Sequence, residues 1–420
     1  MKMTNNQAAS DSLTGNPSTN MKNTVNTTKL IKTTVATAAI ALLAQLQLPA
    51  QTWQTVDDFQ YTAGKHSFAF GSGADGLGNL YVVGRGIDSA NVNHALVMRT
   101  ANQGATWQTI EDYNYLPGTN TAFVGFGVDP AQNLYALGSV NLGASGTHWL
   151  VRKSADGGAT WQTSDEFVYQ AGWVQGAQAG FAADNSGNIY VAGYAYPTSG
   201  PQAGIMVWIV RKSSNAGTSW STVDVYQYNG YSTPAMAIAS SPAGVFVAGY
   251  GGLHWIVRKS TDAGQTWSIV DNYAYPNASG SSLGGLTVDN EGNLFTAGRV
   301  TVTTVIRKRS TTHNYWVIRQ GTNGGTAWSN VQVSENAVFV YGMGSDAAGN
   351  VYVVGGPNWV VWKGTNSGTS WSVADSFLYD GLTTSRAYGC ASDGLGNVYV
   401  CGYGTDSTGV DHWLVRKATP

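Results

Sequence analysis

Five residues of this chain share one position of a repeated unit and carry side chains suited to ligand binding. Each directly follows the glycine that closes a short apolar run: Arg85, Tyr194, Tyr250, Arg299 and Tyr403. Guanidinium groups bind carboxylates in a planar, bidentate manner, and tyrosine rings stack on flat apolar faces. We therefore expect these five residues to bind a planar polar ligand such as a sugar ring or a carboxylate. The alternative is that Arg and Tyr merely cover exposed strand ends.

Groups that could break a bond are scarce. Glycoside hydrolysis normally uses two facing carboxyl groups, about 5 to 9.5 Å apart. The four glutamates are Glu111 and Glu166 on predicted outer strands, Glu291 in a turn and Glu335 in an irregular loop. The predicted inner strands contain no Asp, Glu or His. We expect no catalytic residues, and a glycosidase remains the alternative function.

The element that positions these residues is a unit that recurs seven times. Six copies contain a turn that ends in Trp, and another Trp opens the series: Trp53, Trp107, Trp161, Trp220, Trp267, Trp328 and Trp371. Each unit contains four short runs rich in Val, Ala, Tyr and Trp, separated by Gly, Asn and Asp, which predicts a four-stranded antiparallel sheet. Successive Trp residues are 43 to 61 residues apart, a period typical of propeller blades.

The sequence thus predicts an all-β fold, a seven-bladed β-propeller spanning residues 51–420. The chain begins with a fourth strand, Trp53 to Tyr61, and ends with a third strand, His412 to Lys417. We expect the N-terminal outer strand to close the ring against the C-terminal blade. Asp turns and Trp turns share one face, the repeat face. The loops between second and third strands lie on the opposite face, which we call the variable face, and the longest runs from Arg299 to Asn314. Ligand-binding residues normally lie on such variable loops.

Two of the Trp turns resemble a motif of a known family. Residues 154–161 (SADGGATW) and 260–267 (STDAGQTW) match the Asp-box, or BNR repeat, of sialidase-like β-propellers, and the other four turns are degenerate versions. The resemblance implies the propeller architecture, and it leaves a sialidase-like glycoside hydrolase or an assembly scaffold as alternative functions. Sialidases also carry a trio of arginines, a Tyr and Glu pair and an early Arg-Ile-Pro string. That string is absent, and only Arg85, Arg299 and Arg386 could supply the trio.

The composition of the chain limits which classes of partner it is expected to bind. The net charge is −2 and charged residues are 11% of the chain, which removes the basic footprint of a nucleic-acid binder. A glycan or a protein is the expected partner, bound by a monomer.

The first 50 residues predict an export leader. Lys22, Lys29 and Lys32 precede an apolar run over residues 35–48, which is short for a membrane span. The long polar segment before this run suggests that translation starts at Met21. We expect a secreted or periplasmic protein with no membrane contact after processing. The alternative is a disordered tail with a membrane anchor.

No cofactor or metal is expected. The Asp turns, such as Asp184 to Asn188, lack the twelfth-position Glu of a calcium loop and are explained as Asx turns. Four histidines that begin third strands should lie too far from the ring axis to converge on one ion: His94, His148, His254 and His412. Cys390 and Cys401 should lie nearly opposite each other in the last hairpin, with buried thiols favoured over a disulfide.

Two charge patterns leave alternatives open. Acids recur four residues after most of the Trp residues, and arginines recur in third strands, so that a cross-strand ion pair is one interpretation: Asp57, Glu111, Asp165, Asp224, Asp271 and Asp375, with Arg152, Arg211, Arg258, Arg319 and Arg416. The unit around Trp328 carries Arg307, Lys308 and Arg309. This basic patch either meets an anionic partner or is an imperfect duplication of a Val-Ile-Arg-Lys strand.

Overall fold

The computed structural model describes residues 51–335, 339–356, 358–382 and 384–419. Within them the chain forms seven four-stranded antiparallel sheets, called blades below. The predicted all-β, seven-bladed β-propeller is confirmed. The leader predicted in residues 1–50, with its start at Met21, lies outside the described residues.

Blades 1 to 6 follow the chain in order, and blade 7 combines the last three strands with the first. The strands of blades 1 to 3 are β2 (Ser67–Ala74), β3 (Leu80–Ile87), β4 (Asn93–Thr100), β5 (Gln108–Tyr113); β6 (Asn120–Val128), β7 (Leu134–Asn141), β8 (Thr147–Ser154), β9 (Gln162–Phe167); β10 (Val174–Ala183), β11 (Ile189–Tyr196), β12 (Val207–Ser213) and β13 (Ser221–Tyr226). Those of blades 4 to 6 are β14 (Ala235–Ser241), β15 (Gly244–Gly251), β16 (His254–Ser260), β17 (Ser268–Ala274); β18 (Ala278–Val288), β19 (Leu294–Ile306), β20 (Arg309–Thr322), β21 (Ala327–Glu335); β22 (Phe339–Ser345), β23 (Val351–Gly356), β24 (Val360–Thr365) and β25 (Ser370–Ser376). Blade 7 contains β26 (Arg386–Ser392), β27 (Val398–Thr405), β28 (Asp411–Thr419) and β1 (Thr52–Phe59), and short 3-10 turns cover Gly143–Ser145 and Tyr379–Gly381.

The ring closes as the sequence predicts. Strand β1 pairs antiparallel with β28, from Thr52 opposite Thr419 to Phe59 opposite Trp413. The order in this sheet is β26, β27, β28, β1, so the N-terminal strand is the outer strand of the C-terminal blade. None of the helical segments among the described residues is long and apolar enough to cross a bilayer.

A tryptophan packed against a glycine recurs in the core between blades. Trp149, on the third strand of blade 2, is fully buried and lies against Gly193, on the second strand of blade 3. A Cβ atom at Gly193 would collide with this indole and with the carbonyl oxygen of Gly176. The same contact recurs around the ring: Trp208 with Gly249, Trp255 with Gly298, Trp316 with Gly355, Trp359 with Gly402 and Trp413 with Gly84. Close packing therefore explains the glycine that precedes each predicted site residue.

The turns of the repeat face are held by their own aspartates. In blade 2, Asp129 Oδ1 accepts the N–H groups of Ala131 and Asn133, and Oδ2 accepts the Asn133 amide and the Tyr135 hydroxyl. These bonds confirm the Asx turn. In the Trp turn, hydrogen bonds from Thr160 hold the pKa of Asp156 down at about 2, and the Trp161 indole donates to Ile110 O of the preceding blade.

The recurring acids and arginines form ion pairs between blades rather than across one sheet. Arg211 of blade 3 donates to both Asp165 oxygens of blade 2 at 2.8 and 2.7 Å. Ion pairs at the same position join Arg152 to Glu111, Arg258 to Asp224, Arg319 to Asp271 and Arg416 to Asp375. The cross-strand interpretation is wrong because of the strand register. Within blade 3, Asp224 faces Val210, the residue before Arg211, so the acid and the guanidinium point to opposite faces of the sheet.

The longest variable-face segment is a hairpin, not the loop predicted from Arg299 to Asn314. Strands β19 and β20 stay paired up to Ile306 and Arg309, because the Thr and Val residues of this segment favour extended strands. Residues 303–312, all exposed, are called the finger. Glu335, predicted in an irregular loop, ends β21 and hydrogen-bonds to His313 at 2.5 Å.

Cys390 and Cys401 are free thiols, as favoured from the sequence. Their predicted opposition is wrong by one residue, since Cys390 pairs with Val400 and Cys401 with Gly389. The two side chains therefore point to opposite faces of blade 7 and pack against different inter-blade clusters. Burial raises the pKa of Cys401 to about 12.

Candidate functional site

All five sequence-predicted site residues lie on second strands, at the end near the variable face. The first strand runs from this face towards the repeat face, so its first residues lie opposite them. Arg85 faces Phe68, Tyr194 faces Gly176, Arg299 faces Ser282 and Tyr403 faces Arg386 in the four registers. Tyr250 lies on the second strand of blade 4.

Three adjacent blades concentrate aromatic side chains at this end of their first strands. We call the resulting surface the arc and define it by nine residues: Phe68, Phe70 and Arg85 of blade 1, Arg386, Tyr388 and Tyr403 of blade 7, Phe339 and Tyr341 of blade 6, and Arg299 of blade 5. Elsewhere the position of Phe68 is held by small or aliphatic residues: Ala122 in blade 2, Gly176 in blade 3 and Ser282 in blade 5. The arc is therefore one-sided.

The rings of the arc form a continuous chain of contacts. Phe68 meets the edge of Tyr403, with ring centroids 5.0 Å apart, and Phe70 meets Tyr388 at 5.5 Å. Tyr388 lies 4.7 Å from Tyr341, which stacks on Phe339 at 6.2 Å. Such packing fixes the rings in place, so the aromatic surface is largely preformed.

Arg85 occupies one end of the arc, and its side chain makes no hydrogen bond to another described residue. Its guanidinium lies 4.7 Å above the ring of Phe68 and 5.8 Å from that of Phe70. Its Nε is buried and has no hydrogen-bond partner in the described part of the chain. Burial lowers the pKa of Arg85, an effect that the charge of Asp411 partly offsets. A partly desolvated cation with unused donors is a strong attractor for an anion.

Two further arginines continue the arc. Arg386 lies 5.8 Å from the ring of Tyr403, and a hydrogen bond with Tyr388 raises the pKa of Arg386. Arg299 lies 4.3 Å above Phe339 and donates to Asn314 Oδ1 at 2.7 and 3.1 Å. Burial raises the pKa of Tyr341, and the charges of Arg386 and Arg299 both partly offset this rise.

The structure brings together three of the five predicted residues and leaves two apart. Arg85 and Tyr403 share Phe68 as a neighbour, and Arg299 joins them through the rings of blades 6 and 7. Tyr194 stacks instead on Tyr196 of blade 3. Tyr250 packs against the core cluster of blades 4 and 5, where burial raises its pKa.

Sequence reasoning missed the first-strand aromatics of the arc. Phe68, Phe70, Phe339, Tyr341 and Tyr388 lie in the predicted inner strands, whose lack of Asp, Glu and His gives no catalytic signal. A comparison of first-strand positions between repeats could have shown that only blades 1, 6 and 7 carry these rings. Phe70, Tyr341 and Tyr388 also line the central channel, a cavity of about 220 Å³.

Carboxylates near the arc are already engaged. Asp411 hydrogen-bonds to Thr405 at 2.6 Å and to His66 at 2.9 Å. The four glutamates lie elsewhere, bonded to Arg152 (Glu111), His148 and Tyr115 (Glu166), Ser367 (Glu291) and His313 (Glu335). The described part of the chain therefore offers the arc no pair of facing carboxyl groups for hydrolysis.

The histidines that begin third strands form local clusters with an acid or amide and a tyrosine. His94 Nδ1 lies 2.8 Å from Asp112, whose other oxygen accepts the hydroxyl of Tyr61. Similar contacts join His412 to Asp58 and Tyr379, and His254 to Asn272 and Tyr228. Among the described residues no group of three His, Cys, Asp or Glu is arranged to hold a metal.

Comparison with known proteins supports the fold but gives no information on the chemistry of the site. No protein-family model and no curated protein matches the chain. A streptogramin B lyase aligns with a TM-score of 0.52 and 13% identity, covering 87% of this chain and 97% of the other. A Hadza microbial sialidase aligns with a TM-score of 0.51 and 12% identity, covering 88% and 68%. The chain is a seven-bladed β-propeller whose structural neighbours include a lyase and a sialidase, and this degree of identity shows a shared fold alone.

Proposed function

We propose that this protein is a non-catalytic binding propeller that recognises a glycan through the arc on its variable face. Arg85 carries the proposal. Its guanidinium is held against Phe68, and its buried Nε has no hydrogen-bond partner among the described residues. The terminal N–H groups of this guanidinium are the donors that a carboxylate or hydroxyl of a ligand would reach, and such charge-assisted hydrogen bonds are stronger than neutral ones.

A glycan fits the arc better than a protein segment does. Sugar rings present flat apolar faces and polar edges, and the arc alternates aromatic rings with arginines: Phe68 and Phe70 beside Arg85, Tyr403 and Tyr388 beside Arg386, and Phe339 beside Arg299. Tyr and Arg are also common in protein interfaces. A protein partner is therefore the competing outcome of the experiment below.

Sialidase-like hydrolysis is the second candidate, favoured by one observation. The three arginines that the family's trio would require, Arg85, Arg299 and Arg386, all lie on the arc. Hydrolysis also needs a nucleophile and an acid. Burial raises the pKa of Tyr403 to about 12, which opposes its ionisation, and Asp411 is held by His66 and Thr405. Binding without turnover is the better-supported function.

The test is a glycan array followed by titration calorimetry on the best ligand. We expect the double variant Arg85→Ala/Arg299→Ala to lose most of the binding while its melting curve stays that of the wild type. Arg99→Ala is the matched control, because Arg99 hydrogen-bonds to Asn79 on the repeat face. Intact binding in the double variant would overturn the assignment of the arc. Turnover of aryl-glycosides or sialosides that Arg85→Ala abolishes would establish the hydrolase instead.

The export leader and the Asp-box resemblance also belong to this proposal. A secreted or periplasmic protein would meet polysaccharides directly, and the Asp-box turns on the repeat face would stiffen the ring that carries the variable loops on its other face. The Ser154 hydroxyl donates to Asp156 Oδ1 at 2.8 Å, and the Gly158 N–H donates to the Ser154 hydroxyl at 2.8 Å. N-terminal sequencing of the exported protein tests the leader. A mature chain that still begins before residue 50 would contradict the cleavage.

A further inference from the structure

We propose that the ligand is an anionic polysaccharide chain that contacts the arc and the tip of the finger at the same time. This inference rests on the binding role proposed for the arc, and it adds a ligand class and a second contact. Three observations support the inference: the backbone of the turn at the tip of the finger, the positive charge of that tip, and the distance from the tip to Arg299.

The turn of the finger has an unfavourable backbone that its sequence does not relieve. Arg307 and Lys308 are the two central residues between the paired Ile306 and Arg309, and both have positive φ, 48° and 67°. Two-residue turns of this type favour Asn-Gly, since the left-handed region is sterically unfavourable for residues that carry a larger side chain. Residues kept at such a cost point to a role for their side chains.

The side chains at the tip are cationic and unpaired within the described chain. Arg307, Lys308 and Arg309 are exposed and take part in no side-chain hydrogen bond or ion pair between described residues. The rest of the finger carries no charge, being Thr, Ser, Val305 and Ile306. Strands β19 and β20 contain no acid, and Glu335 on the adjacent β21 is already held by His313. The tip is thus a compact site of three positive charges.

The arc and the tip are connected through one strand. Arg307 lies eight positions after Arg299, and the strand between them is paired up to Ile306, so the two residues are roughly 26 Å apart at about 3.3 Å per residue. A single sugar bound at the arc cannot span this distance, whereas a chain with repeated carboxylates or sulfates can. Arg85, Arg386 and Arg299 would bind one part of such a chain and the tip another.

A lipid surface is the other anionic partner that the tip could meet, because Val305 and Ile306 are about 70% exposed beside the three cations. It would leave the aromatic rings of the arc unexplained. The arc at the base of the finger therefore favours the polysaccharide, and anionic vesicles serve as a competing probe.

The experiment measures dissociation constants for oligogalacturonates and for heparin-derived oligosaccharides, each from two to sixteen sugar units. The tip variant is Arg307→Asn/Lys308→Gly, which removes two charges and supplies the sequence that the turn prefers. We expect this variant to bind the longest oligosaccharides about five- to tenfold more weakly than the wild type and the shortest ones equally. Arg85→Ala should weaken binding at every length, and Arg99→Ala at none.

Each result separates the two proposals. Equal affinity of the tip variant and the wild type at all lengths would overturn the two-site chain while leaving binding at the arc intact. Preference for neutral oligosaccharides would overturn the anionic class alone. Loss of binding to phosphatidylserine vesicles without loss for long oligosaccharides would assign the tip to lipid. No effect of Arg85→Ala on any glycan would overturn the proposed function as well. The carboxylated and sulfated series tell which anion the site prefers.

Discussion

Arg416 of blade 7 and Asp375 of blade 6 are joined by two hydrogen bonds of 2.7 and 3.0 Å across the boundary between their blades. Between blades 7 and 1 the corresponding acid, Asp57, is present, but Met98 stands where the arginine would be. Asp57 Oδ2 is buried without a hydrogen-bond partner among the described residues. Burial, with a smaller contribution from neighbouring Asp58, raises the pKa of Asp57 to about 7.

We expect Asp57, which lacks an arginine partner, to make stability fall as the pH rises. Its folded pKa of about 7 lies above the value near 3.9 expected for an unfolded chain. The folded state therefore holds a proton that the unfolded state has lost, and this contribution disappears between about pH 4 and pH 7 at up to about 1.4 kcal/mol per pH unit. Asp57→Asn should flatten this slope and stabilise the protein at pH 8, as measured by urea unfolding at several pH values.

The matched control is the same substitution at a paired acid. Asp375→Asn leaves the Arg416 guanidinium buried beside a neutral amide, and breaking such a pair costs about 3–5 kcal/mol. The two Asp→Asn variants should thus shift the free energy of unfolding at pH 8 in opposite directions. A destabilising Asp57→Asn would show that this carboxylate has a partner in solution.

A second prediction supplies the missing arginine. At the paired boundaries the guanidinium also stacks on a ring of the preceding blade, as Arg152 does on Tyr113 at 4.1 Å, and Phe59 holds the corresponding place beside Asp57. Met98→Arg should therefore lower the pKa of Asp57 and raise stability at pH 8 by about 1–3 kcal/mol. In the Asp57→Asn background the gain should vanish. Met98→Leu controls for the change in packing, and an equal gain from Leu would refute the ion pair.

A third prediction concerns the contact between glycine and tryptophan. A Cβ atom at Gly84 would collide with the carbonyl oxygen of Phe68 and with the Trp413 ring. Gly84→Ala should therefore destabilise the ring by about 3 kcal/mol. Gly64→Ala is the control, because Gly64 has a φ of 73° and open space around it, so only a backbone cost of about 1 kcal/mol is expected. Thermal melting compares the two, and equal losses would rule out the steric explanation.

The sequence predicts what each repeat encodes by itself. Blade number, strand order and ring closure follow from the Trp series and from the terminal runs at Trp53 and His412, because alternating apolar residues and Asx turns are local signals. Contacts between residues of neighbouring repeats, in contrast, leave no local signal in the sequence. Asp165 and Arg211 lie 46 residues apart. A prediction that considers one blade at a time therefore assigns both residues the wrong partner.

The arc shows the same limit for function. Arg85, Arg299 and Tyr403 are candidates because a repeat position can be compared across copies. The rings of Phe70 and Tyr388 come together only because blades 1 and 7 are neighbours in the closed ring, a contact between residues 318 positions apart (388 − 70). The finger was predicted as a loop since its basic turn lacks the Asn-Gly signal of a hairpin.

The last prediction tests closure of the ring. Strand β1 supplies the outer edge of blade 7 through its pairing with β28, and Thr55 accepts a hydrogen bond from Arg416 at 3.1 Å. A protein that lacks residues 51–62 exposes β28 as an unpaired edge and should aggregate or lose cooperative melting. The control begins at Gln51 and should melt as one unit. A synthetic peptide of residues 51–62 should restore the transition by adding the strand in trans. An unchanged melting curve for the shortened protein would contradict closure by β1.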